Sequence, residues 1–550
     1  MLILLLILPL LFSWAQLPEE YELLIKYRQS KDSSLAYRIL KEYPNAVFRD
    51  ELLLLLAREE NSKGRREQSR RLLEEINPGN LRDELKSSYA DLWKELELDP
   101  KSGFLKAPLL FREFIPSLKL SEEEALRASE ELFKRRYYRD VVALLEPLDF
   151  QRVCYLLGRS YQALKEGSRA LGVFEKCEDQ RGKVELALLH FDLGDKEKIE
   201  KTLSEIVDKE LMSEALFRLG RRSLYAGRHG EALEYFERMQ PSFRKEFNLG
   251  LAYYMRGEYS KAYESFLKSV SHSKKGEERS AGYFWAYKSS LLFDKGRADE
   301  YLVKASNGAG FYHAVASSML GLPVASRAMR VVMEDEALPR TARIVRAIWS
   351  AGFPEYARLE AFRRIRDMSS SDILSLSSLD PYLAVRLAVK KYGYGSFVYN
   401  AVAFPKPYRD IVERASRKYR VETALIYAVM RQESLFDPYA VSVAKARGLM
   451  QLIDSTAQYV AKKEGVNIRN IYDPETNITL GTAYLRHMLD QWKGDLVRTL
   501  ASYNAGPTRV RSWKEHEDEY LFIETIPIGE TRDYVKKVLY NYYVYLELLK

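Results

Sequence analysis

Glu433 stands in the stretch YAVMRQESLFDPYAVSVAKARGLMQL, Tyr427 to Leu452, and the residues one and two helical steps before it, Met430, Val429, Ile426 and Leu425, are all apolar. A carboxyl group on that stripe is driven toward the interior. Desolvation disfavours its charged form and raises its pKa. The negative end of the helix dipole, close to the helix C-terminus, pushes the same way. A carboxylic acid that keeps its proton near neutral pH can hand it to a leaving-group oxygen, which is general acid catalysis. A helix turned slightly would instead put Glu433 on the surface, the ordinary place for a glutamate. The residues C-terminal to Glu433 favour chemistry. Gly448-Leu449-Met450-Gln451 supplies a glycine for close backbone approach, an adaptable thioether and an amide that both donates and accepts. LASYNAGPTRV, Leu500 to Val510, places Tyr503 and Asn504 before an Ala-Gly-Pro turn. Aromatic faces with amides suit sugar rings, through stacking and hydrogen bonds to hydroxyl or acetamido groups.

The elements that must position these groups are helical. The pattern predicts a helix over Val421 to Ser434 without a strong N-cap, stopped by Leu435-Phe436-Asp437-Pro438, and a capped helix opening at Asp454-Ser455-Thr456. Other chemistries find little support. The six histidines, His190, His229, His272, His313, His487 and His516, are scattered without an H-E-x-x-H, so no metal is expected, and no cofactor. Gly393-Tyr394-Gly395 lacks the third glycine and the strand–helix context of a phosphate loop. A net charge of +8 over 550 residues, with no dense Lys/Arg block interleaved with aromatics, argues against nucleic acid. It suits an acidic polymer or a solvated surface. Tyr540, Tyr542, Tyr543 and Tyr545 follow a helical pattern and read as packing.

Along the chain, Leu2 to Phe12 is one apolar run, too short to span a bilayer, and Ser13 and Ala15 fit a signal-peptidase site before Gln16. No Lys or Arg precedes the run and no cysteine follows it, so the reading is an exported, soluble chain without a lipid anchor or stable membrane insertion. From Leu17 to about Val303 short amphipathic helices succeed one another. YLLGRSYQALKEGSRALGVFEKC, ALFRLGRRSLYAGRHGEALEYFERM and FNLGLAYYMRGEYSKAYESFLKSV look like copies of one helical hairpin. The turn glycines Gly167, Gly194, Gly227, Gly257 and Gly296 are spaced by 27, 33, 30 and 39 residues. This resembles a degenerate tetratricopeptide array, in which each hairpin buries its apolar face against the next. Cys154 and Cys177 sit near the two ends of one such hairpin, and a disulfide and two buried thiols are both open. From Ser306 to Val402 the repeat is lost, and Gly393, Gly395, Pro405 and Pro407 mark a last boundary. The expected division is a signal peptide over 1–15, a helical superhelix over 16–305, a helical linker over 306–402 and a C-terminal domain over 403–550.

Glu433-Ser434, Gly448-Leu449-Met450-Gln451, Tyr503-Asn504-Ala505-Gly506 and IETIPIGETRDYV, Ile523 to Val535, resemble the four ordered motifs of the soluble lytic transglycosylase family. DPETNITLGTAYL, Asp473 to Leu485, matches the segment between the second and third. The likeness is close from Phe404 to Lys550, and the helical array before it is similar in kind to the large domain of the long members. The resemblance implies an all-α chain, α+β only locally, with a lysozyme-like C-terminal domain. It implies cleavage of peptidoglycan between N-acetylmuramic acid and N-acetylglucosamine in the periplasm, giving 1,6-anhydro ends, with Glu433 as acid and then base. Ser434, Met450, Gln451, Tyr503, Asn504 and Glu530 are expected at the substrate, and Gly448, Gly506 and Arg532 as structural neighbours. Peptidoglycan strands, and cell-wall synthesis proteins on the helical array, are the expected partners. A hydrolytic muramidase would need a second carboxylate such as Glu524 or Glu530. A non-catalytic cell-wall scaffold would need no acid at all. The sequence departs from the family pattern at Lys445, where glycine is usual, at Ile453-Asp454 for Met-Pro, and at Ser502 for alanine.

Overall fold

The computed structural model describes residues 17–330 and 339–550. The segment read as a cleavable signal therefore lies outside the described residues. The chain is 71% helical. Among the described residues, extended pairing is confined to isolated bridges of Val441 with Arg447 and of Arg447 with Leu452. The expected all-α class, with a local extended element in the C-terminal domain, is what forms. The chain divides into two compact units, Met1–Gly182 with Met333–Gly393 and Lys183–Val332 with Tyr394–Lys550.

The first unit joins two separated segments through aromatic and charged side chains. Phe48 packs on Tyr21 and Tyr356, with ring centroids 5.1 and 5.5 Å apart. The buried Glu51 accepts from the Tyr356 hydroxyl at 2.5 Å and from Arg82 Nε at 2.9 Å. Cys154, on helix Phe150–Ala163, and Cys177, just after helix Gly167–Lys176, form a disulfide across the open end of their hairpin. It closes a loop with a sequence separation of 23. Such a link removes about 3 kcal/mol of unfolded-chain entropy.

In the second unit successive helices pack in pairs. Lys209–Tyr225 (α1) pairs with His229–Glu237, Phe243–Met255 (α2) with Tyr259–Ser271, and Gly276–Ser290 (α3) with Ala298–Ser306. Gly310–Met319 (α4) comes next. Gly220 on α1 lies beneath Phe236, and Gly250 on α2 beneath Phe266. The first unit repeats this arrangement with Gly158 beneath Phe174. Each ring comes sixteen residues after its glycine. A Cβ at Gly158 or Gly250 would stand 2.5 or 2.6 Å from a ring carbon, so only glycine admits the ring. Of the expected turn glycines, Gly194, Gly227 and Gly257 take φ of 77°, 74° and 78°. Gly167 and Gly296 do not. Gly167 opens a helix, the left-handed turn before it being made by Lys165 at φ 65°, and Gly296 lies in a short 3-10 segment.

The C-terminal helices complete this unit: Thr423–Ser434 (α5), Pro474–Gln491 (α6), Leu496–Ala505 (α7), Glu519–Thr525 (α8) and Gly529–Leu548 (α9). On α5 the seven residues from Ala424 to Met430 are all buried. The helix has no polar face over two turns and forms only because it is surrounded. The long α9 packs against α4, α5 and α7. One apolar core runs from Phe247, Phe266 and Trp285 of the hairpins to Tyr427, Met430, Val535 and Val538. Gly250→Ala is expected to lower the melting temperature, overpacking beneath an aromatic ring costing about 1–3 kcal/mol. Gly167→Ala, with nothing within 4 Å of the new methyl, should be neutral or stabilising. Thermal melts of the two variants check the order.

Candidate active site

Glu433 lies in the last turn of α5, whose buried length leads it into the protein, and its side chain is half-buried. Its Oε1 accepts a hydrogen bond from the Tyr534 hydroxyl of α9 at 2.7 Å. Burial pushes its pKa up from 4.5 to about 7, the Tyr534 hydroxyl opposes the rise, and Glu530 adds a like-charge push. Desolvation, then the carboxylate of Glu433, hold the phenols of Tyr503 and Tyr534 well above the ordinary tyrosine range, so both remain neutral donors. The backbone leaves α5 through two consecutive left-handed residues, Leu435 at φ 52° and Phe436 at φ 69°. Neither is glycine, and each such residue costs about 1–2 kcal/mol.

The expected Ser434 is buried. Its hydroxyl donates toward the carbonyls of Leu449, at 2.8 Å, and Met430, at 3.2 Å, and accepts from the Phe436 amide at 3.0 Å. It thereby locks the end of α5 to the Gly448–Gln451 turn. Gly448 takes φ 79°, and a Cβ there would stand 2.7 Å from Asn477 Cγ. Asn477, fully buried on α6, accepts from the Met450 amide at 2.8 Å and donates to the carbonyls of Arg447 and Ile471 at 3.0 and 2.9 Å. Met450 is buried, with its side chain against Gly481, where a Cβ would stand 2.6 Å from Met450 Cβ. Gln451, at φ 48°, donates from Nε2 to the carbonyls of Ala440 and Gly448, both at 3.0 Å.

On the other side, Tyr503 of α7 donates to the Met450 carbonyl at 2.9 Å. Asn504, exposed, accepts from Thr531 at 2.7 Å and so ties α7 to α9, and Gly506 ends α7 at φ 88°. Glu530 is exposed on the first turn of α9. Arg532, expected as a structural neighbour, donates to the Tyr225 hydroxyl of α1 at 3.0 Å. The carboxylate nearby, Glu524 of α8, is buried and accepts from Tyr312 of α4 at 2.6 Å and from Lys536 at 2.7 Å. Burial alone would raise that carboxyl, but Lys536, Arg532 and Tyr312 together hold it below the ordinary range.

Of the departures from the family pattern, Asp454 and Ser502 gain partners, Lys445 takes on backbone strain, and nothing in the structure explains Ile453. Lys445 occupies a left-handed position, φ 61°, where glycine would be unstrained. Asp454 pairs with Arg447. It does not cap the helix Asp454–Glu464, which begins after Ile453 with no side-chain cap, contrary to the expected capped start. Ser502 accepts from Trp492 Nε1 at 2.7 Å, a partner alanine lacks. Tyr534 and Asn477 are the two residues of the site that sequence reasoning did not single out. Both lie inside matched segments, but one tyrosine among 38 carries no sign of its partner.

Because folded Glu433 holds its proton to about pH 7 and an unfolded glutamate only to about 4.5, the native state binds more protons between those values and loses stability as pH rises through them. Glu433→Gln removes this loss. The variant is expected to match the parent at pH 4 and to exceed it by roughly 2–3 kcal/mol at pH 8, read as a difference in melting temperature that grows with pH.

Residues 410–526 match the family model for the transglycosylase SLT domain. The soluble lytic murein transglycosylases of Salmonella typhimurium and Escherichia coli K12 are each 31% identical over 281 residues, covering 46% of this chain and 42% of theirs. Membrane-bound lytic murein transglycosylase C of Edwardsiella ictaluri is 42% identical over 111 residues, 18% of this chain and 31% of its own. The matches therefore span less than half the length of these relatives. Among solved structures, the 70 kDa soluble lytic transglycosylase of Escherichia coli superposes with a TM-score of 0.63 at 19% identity, covering 96% of this chain and 92% of that one. An inactive glutamate-to-glutamine mutant of the Pseudomonas aeruginosa enzyme gives 0.53 at 21% identity, covering 97% and 87%. At these identities the likeness is one of fold. Residues 410–526 thus carry an SLT transglycosylase domain, and the chain is similar to soluble lytic transglycosylases in sequence over part of its length and in fold over most of it.

Proposed function

We propose that this protein is a lytic transglycosylase that cuts peptidoglycan between N-acetylmuramic acid and N-acetylglucosamine and leaves 1,6-anhydro ends. The observation that carries the reading is one carboxylic acid, Glu433, at the interior end of α5 with its pKa pushed up to about 7. In the proposed reaction Glu433 gives its proton to the glycosidic oxygen as the bond to the muramic acid C1 breaks. It then takes the proton from the muramic acid C6 hydroxyl as that oxygen bonds C1. One bond replaces another, no water is consumed, and Glu433 ends protonated again. In this reading Tyr503, whose phenol feels the Glu433 carboxylate, meets the substrate together with Gln451 and Met450 of the neighbouring turn. The relatives' names, soluble lytic murein transglycosylase, support the substrate.

The hydrolytic alternative needs a second carboxylate to activate water. Glu524 is committed to Lys536 and Tyr312 inside the protein, which disfavours it for that role. Glu530 is the remaining acid, exposed at the start of α9. We place the protein in the periplasm, on the strength of the signal-like run at its start. Among the described residues no helix is long and apolar enough to cross a membrane.

Digestion of purified peptidoglycan, followed by mass spectrometry, is expected to give muropeptides one water lighter than reducing-end sugars, and none with Glu433→Gln. Reducing ends would instead indicate a muramidase. The acid must start protonated, so kcat/KM is expected to fall as pH rises through about 7. Tyr534→Phe removes the hydrogen bond that favours the charged form, and should move that limb to higher pH by about half a unit to one unit, alongside a lower kcat.

A further inference from the structure

Four residues after Glu433 the chain passes Asp437, whose side chain accepts from the Tyr439 amide at 3.2 Å, and presents Tyr439 with 61% of its surface exposed. Its ring lies 6.2 Å, centroid to centroid, from that of Tyr472, the planes inclined by 37°. Both rings are anchored to the candidate active site through their chain neighbours. Ala440, next to Tyr439, accepts from the Gln451 side chain at 3.0 Å and from the Gly448 amide at 2.9 Å. Ile471, next to Tyr472, accepts from Asn477, which also holds the Met450 amide. The two tyrosines thus sit on opposite shoulders of the Gly448–Gln451 turn, on backbone fixed by the turn itself. Burial does not explain Tyr439, most of whose ring meets water.

We propose that Tyr439 and Tyr472 form a platform for a further sugar of the glycan strand, beyond the Gly448–Gln451 turn. This rests on the proposed glycan substrate. The exposed face of Tyr439, tilted against the partly buried ring of Tyr472, offers the C–H face of an N-acetylhexosamine an apolar surface, with hydroxyls for its polar groups. The platform grips a sugar away from the bond that breaks, so it sets the preference for strand length.

The test is steady-state cleavage of glycan strands of graded length by the full chain. Tyr439→Ala and Tyr472→Ala are expected to raise KM for long strands about five- to tenfold each, with a smaller change in kcat and no movement of the pH limb. Tyr439→Phe should restore most of the loss. Tyr394→Ala, which alters another exposed tyrosine, 79% accessible and paired with Tyr399, is the control for unchanged activity. An unchanged KM for both alanine variants overturns the platform. If the parent protein releases no product, the proposed activity has failed, and retention on purified glycan strands decides the platform by itself. Weaker retention of Tyr439→Ala supports it and equal retention overturns it.

Discussion

A carboxylic acid that holds its proton near neutrality needs water removed from around it, and every element of the C-terminal domain answers to that requirement. The helix α5 meets it by having no polar face. From Ala424 to Met430 every side chain is buried, so the helix exists only inside a shell, and that shell is α9 together with the rest of the C-terminal helices. The residues that keep Glu433 desolvated are therefore the residues that make α5 a helix. Stability and acidity come from the same packing, and the strained exit through Leu435 and Phe436 turns the chain away as soon as the acid has been placed.

The second support is polar. Asn477 uses both ends of its amide to hold the Gly448–Gln451 turn, and Gly448 is glycine because the Asn477 side chain occupies the place of a Cβ. Ser434 and Tyr503 tie the same turn to α5 and α7 through main-chain carbonyls. Residues expected at the substrate thus also brace the turn, which is how a loop acquires the rigidity of a helix.

The acid itself was legible in the sequence, since an apolar run ending in glutamate is a local pattern, and so were the hairpins, whose periodicity is also local. The partner of the acid was not. Tyr534 lies 101 residues further on and meets Glu433 only through the register of α9 against α5. Asn477 carried no signal beyond its place in a matched segment, because satisfying a buried turn is a property of the folded backbone. Glu524 and Arg532 were legible as charges, but that they would meet Tyr312 and Tyr225 depended on helices more than two hundred residues away in sequence. Gly167 misled because the turn it was expected to make closes two residues earlier, at Lys165.

The match to the SLT domain model ends at residue 526, and α9 begins at Gly529. A fragment cut to the recognised boundary would keep Glu433 and lose the hydroxyl bonded to it, along with the apolar wall that covers α5. Its acid would face water and titrate as an ordinary glutamate. The stretch that matches the SLT domain model is shorter than the fold that buries the acid, and a piece that keeps Glu433 desolvated has to extend through α9 and retain the hairpins that pack against it.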